Sequence, residues 1–148
     1  MEDVYPCERD IVKLEDGGQI AIDWIQPPEL DKFFNKRTPI VVFLPGLTGD
    51  RFCQYSKIII KEIAYRKFKP VILNHRGCGY TQITTRNLIS NSLARFYSAA
   101  TIEDTRAGFE YIHKKYPENP VYGVGVSMGG TILGNVSNLV KLVCGSRG

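Results

Sequence analysis

Three residues have the spacing for chemistry: Gly125, Ser127 and Gly129, inside Val121-Tyr-Gly-Val-Gly-Val-Ser-Met-Gly-Gly130. Gly-x-Ser-x-Gly is the nucleophile-elbow pattern when a strand enters it and a helix leaves it. Both flanks read that way. Val121 to Val126 is a short apolar run, and Met128 to Leu142 is amphipathic. A strand that turns at once into a helix forces strained dihedrals on the corner residue. Small neighbours two positions away let the helix pack close against the strand. The corner hydroxyl then stands at the carboxyl end of the sheet, where the helix's free N–H groups and dipole favour negative charge. The chemistry this suits is attack by a serine on a carbonyl.

A serine needs elements to hold it and donors to stabilise what it makes. Ile40-Val-Val-Phe-Leu44 is a continuous β-branched run, expected as a central strand buried on both faces. Pro45-Gly-Leu-Thr-Gly49 follows at once, a Gly-rich turn able to aim backbone N–H groups into a cleft. Pro70-Val-Ile-Leu-Asn74 reads as a second central strand, with another Gly-rich turn in His75-Arg-Gly-Cys-Gly79. Tyr55 to Lys67 has apolar residues at 55, 58, 59, 63 and 64, a helical spacing. Thr101 to Tyr116 is a second helix, with Thr101 and Asp104 placed as a capping box and Ile102, Phe109, Ile112 and Tyr116 as its apolar face. Residues 80–100 are polar and read as a long loop holding at most a short helix. Upstream, residues 1–9 are a polar lead-in. Asp10 to Leu14 and Gln19 to Ile25 alternate around Asp16-Gly17-Gly18, a hairpin over 10–26. Hairpin, then strand and helix three times over, implies a parallel sheet with helices on both faces: an α/β class.

The composition narrows the function classes. The chain has 148 residues, enough for one ordinary domain, with 43% hydrophobic and 23% charged residues. A net charge of +4 with scattered basic residues gives nucleic-acid binding little support. Cysteines at 7, 53, 78 and 144 lack C-x-x-C spacing, which argues against zinc and for reduced, mostly buried thiols. No metal or cofactor is called for. No secretory signal and no apolar run of about 18 residues is visible, so the expectation is an intracellular, cytoplasmic chain. Oligomeric state is left open.

Pro45-Gly-Leu-Thr-Gly49, Asn74-His-Arg-Gly77 and Gly125-Val-Ser-Met-Gly-Gly130, in that order after successive strands and behind the hairpin, resemble the α/β-hydrolase superfamily. More narrowly they are similar to the abhydrolase-domain branch of phospholipase-like, monoacylglycerol and acetyl-ester hydrolases and medium-chain alcohol acyltransferases. The resemblance covers about residues 10–140. It implies Ser127 as nucleophile, and the backbone N–H groups of Leu47 and Met128 as oxyanion donors. His75 and Arg76 match a structural turn. The implied substrate is a short- to medium-chain acyl ester or lipid, hydrolysed by water or passed to an alcohol. Peripheral membrane association is allowed if an N-terminal anchor is missing.

The family orders its triad Ser, then Asp, then His. From Met128 to Gly148 there is no Asp, Glu or His. The expectation is therefore residues 1–148 as a partial domain with an incomplete sheet, its C-terminal half missing. Either it is a piece of an ester hydrolase or it is a catalytically inactive remnant. Two histidines and two carboxylates are the candidates for substitutes. His113 reads as a solvated or packing residue, and His75 as near the cleft but out of family order. Asp50 reads as a loop carboxylate and Asp104 as a helix cap. Arg51 and Arg76 could meet an acidic headgroup, though exposed loop arginines are commoner.

Overall fold

A computed structural model describes residues 5–28, 30, 32–83 and 102–139. The elements in chain order are β1 (Cys7–Lys13), β2 (Gln19–Ile25), β3 (Ile40–Leu44), α1 (Gln54–Tyr65), β4 (Lys69–Asn74), α2 (Ile102–Lys115), β5 (Val121–Gly125) and α3 (Met128–Leu139). They form a five-stranded sheet in the order β1-β2-β4-β3-β5. β1 and β2 are antiparallel, β2 runs antiparallel to β4, and β4, β3 and β5 are mutually parallel. The hairpin thus lies on one flank and the elbow strand on the other. The register Leu44↔Gly125 sets the carboxyl ends of β3 and β5 side by side.

The core has two parts, as helices on both faces require. Phe43, Ile72 and Ile25 pack with Ile60 of α1. Val42, Leu44, Val71, Leu73, Ile22 and Trp24 pack with Ile112 of α2 and with Ile132 and Val136 of α3. β3 and β4 are buried along their whole length because both faces are covered. Asp10 ties β1 to its neighbours. Its Oδ2 accepts from Trp24 Nε1 at 2.6 Å, Lys115 Nζ at 2.6 Å and Tyr111 Oη at 3.1 Å.

Several boundaries differ from the sequence expectation. β1 begins at Cys7, inside the expected polar lead-in. An edge strand faces solvent, so Glu8 and Arg9 cost nothing there, and Arg9 forks onto the buried Asp23 opposite at 2.6 and 2.7 Å. α1 ends two residues before Lys67. Lys67 N–H bonds Ala64 O and Phe68 N–H bonds Ile63 O, the paired bonds of a Schellman cap. The left-handed residue is Lys67 at φ 63°, so no glycine marked the stop. The buried face of α1 is Ser56, Ile60, Ile63 and Ala64, while Ile58 is exposed. The expected apolar positions included Ile58 and omitted Ile60, because three consecutive isoleucines satisfy more than one helical phase. The thiols of Cys7, Cys53 and Cys78 are free but only partly buried, a correction to the expected burial. Cys144, Thr101 and most of the expected 80–100 loop lie outside the described residues.

Candidate active site

Ser127 sits at the corner between β5 and α3, exposed, with φ at +53°. A non-glycine residue in the left-handed region costs of order 1–3 kcal/mol and persists only where its surroundings hold it. Here the holding is tight. A Cβ on Gly125 would stand 2.5 Å from backbone atoms of Gly129 and Gly130, and one on Gly129 would collide with the Leu44 carbonyl oxygen. Strand, corner and helix are in backbone contact, so the corner has no room to relax. Gly129 N–H bonds Val126 O at 2.9 Å and Thr131 N–H bonds Ser127 O at 3.1 Å, starting α3 directly after the serine. Met128 opens that helix, and first-turn N–H groups have no partner within a helix.

The turn after β3 lies against this corner. A Cβ built on Gly46 would be 3.3 Å from Ser127 Cβ and 3.4 Å from Val126 O. Gly49 N–H bonds Gly46 O at 2.9 Å, closing a four-residue turn with Leu47 and Thr48 at its centre. Thr48 has φ of +57°, the sign a type II turn needs at its third position, where glycine is usual. Leu47 is 65% exposed, and its backbone N–H forms no hydrogen bond among the described residues. The Gly46 N–H is engaged: it donates to the Tyr55 hydroxyl at 3.1 Å. The sheet therefore brings Ser127, Met128 and Leu47 to one place.

The other candidate residues go elsewhere. Asp50 closes the approach to α1: its Oδ1 accepts from Phe52 N–H at 2.8 Å and Cys53 N–H at 3.2 Å. Arg51 stacks on Phe52, 4.6 Å from the ring centroid, and Phe52 meets Tyr80 edge-on at 6.1 Å. His113 is exposed on α2. His75 is buried at the end of β4, and burial holds its pKa down at about 4, with Asp104 pulling the other way. It is neutral at pH 7 and sealed from solvent.

Arg76 corrects the sequence reading: it is buried, not an exposed loop arginine. Asp104 lies in the first turn of α2 as expected, and its capping partner Thr101 is outside the described residues. Arg76 Nε and Nη2 fork onto the two Asp104 oxygens at 2.5 and 2.6 Å, and Nη1 reaches Asp16 Oδ2 at 2.5 Å. Arg76 is 9% and Asp104 3% exposed. The pair raises the guanidinium pKa further above its usual value, the Asp104 hydrogen bonds being the main cause. It clamps the turn after β4 to α2 and to the hairpin turn.

Sequence reasoning missed Tyr55, counted only as one of the apolar positions of α1. No local signal marks it, because its partner turn lies six and more residues upstream and meets it only in the fold. The cluster in which Arg9, at the surface, meets the buried Asp23 and Asn74 was also missed. There Asn74 Nδ2 donates to Asp23 at 3.0 Å and Arg9 Nη1 to Gly79 O at 2.7 Å. No group of His, Cys, Asp and Glu suited to a metal ion occurs among the described residues. No helix among them is long and apolar enough to cross a membrane.

With this geometry in place, comparison is informative. A model of the alpha/beta hydrolase fold matches residues 39–137, from the first central strand through the elbow helix. The chain belongs to the α/β-hydrolase family. Within the family it falls in the abhydrolase-domain branch. It is 39% identical to protein abhd-3.2 of Caenorhabditis elegans, over 88% of this chain and 32% of the relative. It is 34% identical to phospholipase ABHD3 of Homo sapiens, over 85% of this chain and 29% of the relative. The chain thus spans about a third of the length of these curated relatives. The esterase Pf2001 of Pyrococcus furiosus superposes with a TM-score of 0.71 at 19% identity, covering 95% of this chain and 49% of that one. At that identity the likeness is one of fold.

Proposed function

We propose that this chain is the N-terminal, nucleophile-bearing part of a serine carboxylic-ester hydrolase acting on short- to medium-chain acyl esters or lipids. The observation that carries the reading is Ser127: exposed, left-handed, and pressed against Gly46 at the strand–helix corner. Its Oγ attacks the acyl carbonyl and gives its proton to a base. The carbonyl oxygen becomes an oxyanion, held by the N–H groups of Leu47 and Met128. Such donors act at about 2.7–3.1 Å from the developing charge. The alkoxide leaves with a proton, and water releases the acid from the acyl-serine. Transfer of the acyl group to an alcohol would use the same intermediate.

The base and its orienting carboxylate are not supplied by these 148 residues. His75 is sealed and His113 lies on α2. No Asp, Glu or His follows Ser127. We assign both to sequence of the kind that makes the relatives about three times longer.

The test supplies the missing base from solution. In imidazole buffer, a fluorophosphonate should phosphonylate this chain slowly, releasing fluoride, with the adduct mapped by mass spectrometry to Ser127 and lost in Ser127→Ala. An adduct spread over other hydroxyls, or none on Ser127, would overturn the assignment of nucleophile.

A further inference from the structure

The Tyr55 hydroxyl touches the turn that the reading above makes the oxyanion hole, and nothing in the reaction as written uses it. It accepts the Gly46 N–H at 3.1 Å. It also fills the place a Cβ on Gly49 would need. So one oxygen braces both glycines of the turn, one on each side of Leu47 and Thr48. The same oxygen is 3.7 Å from the point beside Gly46 that lies 3.3 Å from Ser127 Cβ, so brace and nucleophile both border Gly46. The ring is fixed in its turn: it meets Phe43 of β3 edge-on at 6.3 Å, from the first turn of α1. The turn needs such a brace. Thr48 is β-branched and held at φ +57°, a conformation threonine does not choose unaided. Relaxing Thr48 to negative φ would rotate the peptides on either side of it and break the Gly49 N–H bond to Gly46 O, which holds the Gly46–Leu47 peptide that carries the Leu47 N–H.

We infer that Tyr55 is a positioning residue: by accepting the Gly46 N–H and filling the space over Gly49, its hydroxyl holds the 45–49 turn in the shape that directs the Leu47 N–H at Ser127. The inference rests on the oxyanion assignment for its catalytic consequence, but not for the brace itself. It also explains why position 49 is glycine: a side chain there and the hydroxyl of Tyr55 are mutually exclusive.

The test is Tyr55→Phe, which removes one oxygen and keeps the ring on Phe43. Two readouts are taken, with Ile58→Ala, on the exposed face of α1, as the control. The first is amide hydrogen exchange of Gly46 and Leu47 by NMR. Loss of one hydrogen bond should speed exchange at Gly46 up to about tenfold and shift the Leu47 amide resonance, with the melting temperature of the chain little changed. The second is phosphonylation in imidazole. The maximal rate should fall roughly tenfold or more, as for a misaimed donor, while the probe concentration giving half that rate stays the same. Unchanged amides at 46 and 47 would overturn the brace. Moved amides with an unchanged phosphonylation rate would overturn the link to Leu47. If the parent chain gives no Ser127 adduct, the nucleophile reading fails instead, and the amides alone decide for or against Tyr55.

Discussion

Gly129 packs so closely against Leu44 that a methyl group on it would overlap the Leu44 carbonyl oxygen and reach within 2.5 Å of the Pro45 carbonyl oxygen. This is the contact that places the start of α3 directly over the end of β3. It couples the serine corner to the turn beside it, because both hang from the same pair of strand ends.

Gly129→Ala should therefore cost about 3 kcal/mol or more, since backbone and not a movable side chain stands in the way. Gly134→Ala is the contrast, one and a half turns further along α3. Among the described residues nothing lies within 4 Å of a Cβ there, and alanine should stabilise the helix by about 0.5–1 kcal/mol. Urea denaturation of the two variants checks both signs. Equal effects would mean that the Gly129 contact is not what fixes the corner.

The Arg76–Asp104 pair should behave as a buried clamp. Removing one partner leaves the other charge uncompensated, at a cost of about 3–5 kcal/mol. Arg76→Met alone and Asp104→Leu alone should each lose that much, while the double variant loses clearly less than the sum. Asp16→Ala should lose under about 1 kcal/mol, because its carboxylate is substantially exposed and screened. Additive losses in the double variant would remove the coupling.

How far the sequence carried depends on whether a feature is local. β3 and the helix Ile102–Lys115 were legible because an unbroken β-branched run and a 3.6-residue apolar period are written in consecutive residues. Ser127 was legible because an elbow is a strand, a corner and a helix in one stretch. The end of α1 was not, since a lysine took the left-handed position that glycine normally announces. Arg76 with Asp104, and Tyr55 with Gly46, were not legible for a deeper reason. Each joins elements that are separated in sequence and become neighbours only through sheet order. Asp104 reads as a cap from its place in the first turn of α2, which suits the dipole, and that place says nothing of its hold on Arg76.

His75 gives the fold a definite pH response. Its pKa is about 4 in the folded chain, lowered mainly by burial, against about 6.5 unfolded. Below the unfolded value the unfolded chain takes up a proton that the folded chain refuses. The contribution is whole above that value and drains away as pH falls toward 4. Between pH 7 and pH 5 this should remove about 2 kcal/mol. His75→Gln should flatten that part of the profile in urea midpoints measured across the window. An unaltered slope would mean that His75 is not the group responsible.

β5 should control association. Among the described residues it is hydrogen-bonded on one edge only, to β3. Tyr122 and Val124 are 54% and 38% exposed on its uncovered face. An open apolar edge is a template for pairing with another chain. The chain should self-associate with rising concentration in sedimentation experiments. Val124→Lys should shift it toward monomer, because a charge on the edge discourages pairing. A parent chain that sediments as a monomer throughout would refute this.

Catalysis is the sharpest case, because a nucleophile and its base are separable here. The Ser127 hydroxyl is protonated at neutral pH, and a positioned general base contributes roughly 10²–10⁴-fold. On p-nitrophenyl esters this 148-residue chain should show negligible turnover in plain buffer, leaving only a residual rate from binding and the oxyanion donors. Added imidazole should restore part of the rate in proportion to its free-base fraction. Activity should then rise with pH through the pKa of imidazole, not through that of any residue in the chain. The restored rate should vanish in Ser127→Ala. A substantial rate without imidazole, surviving His75→Gln and His113→Gln, would mean that the serine finds its base among groups other than the two histidines. Loss of such a rate in His75→Gln alone would show instead that the buried histidine opens to the cleft.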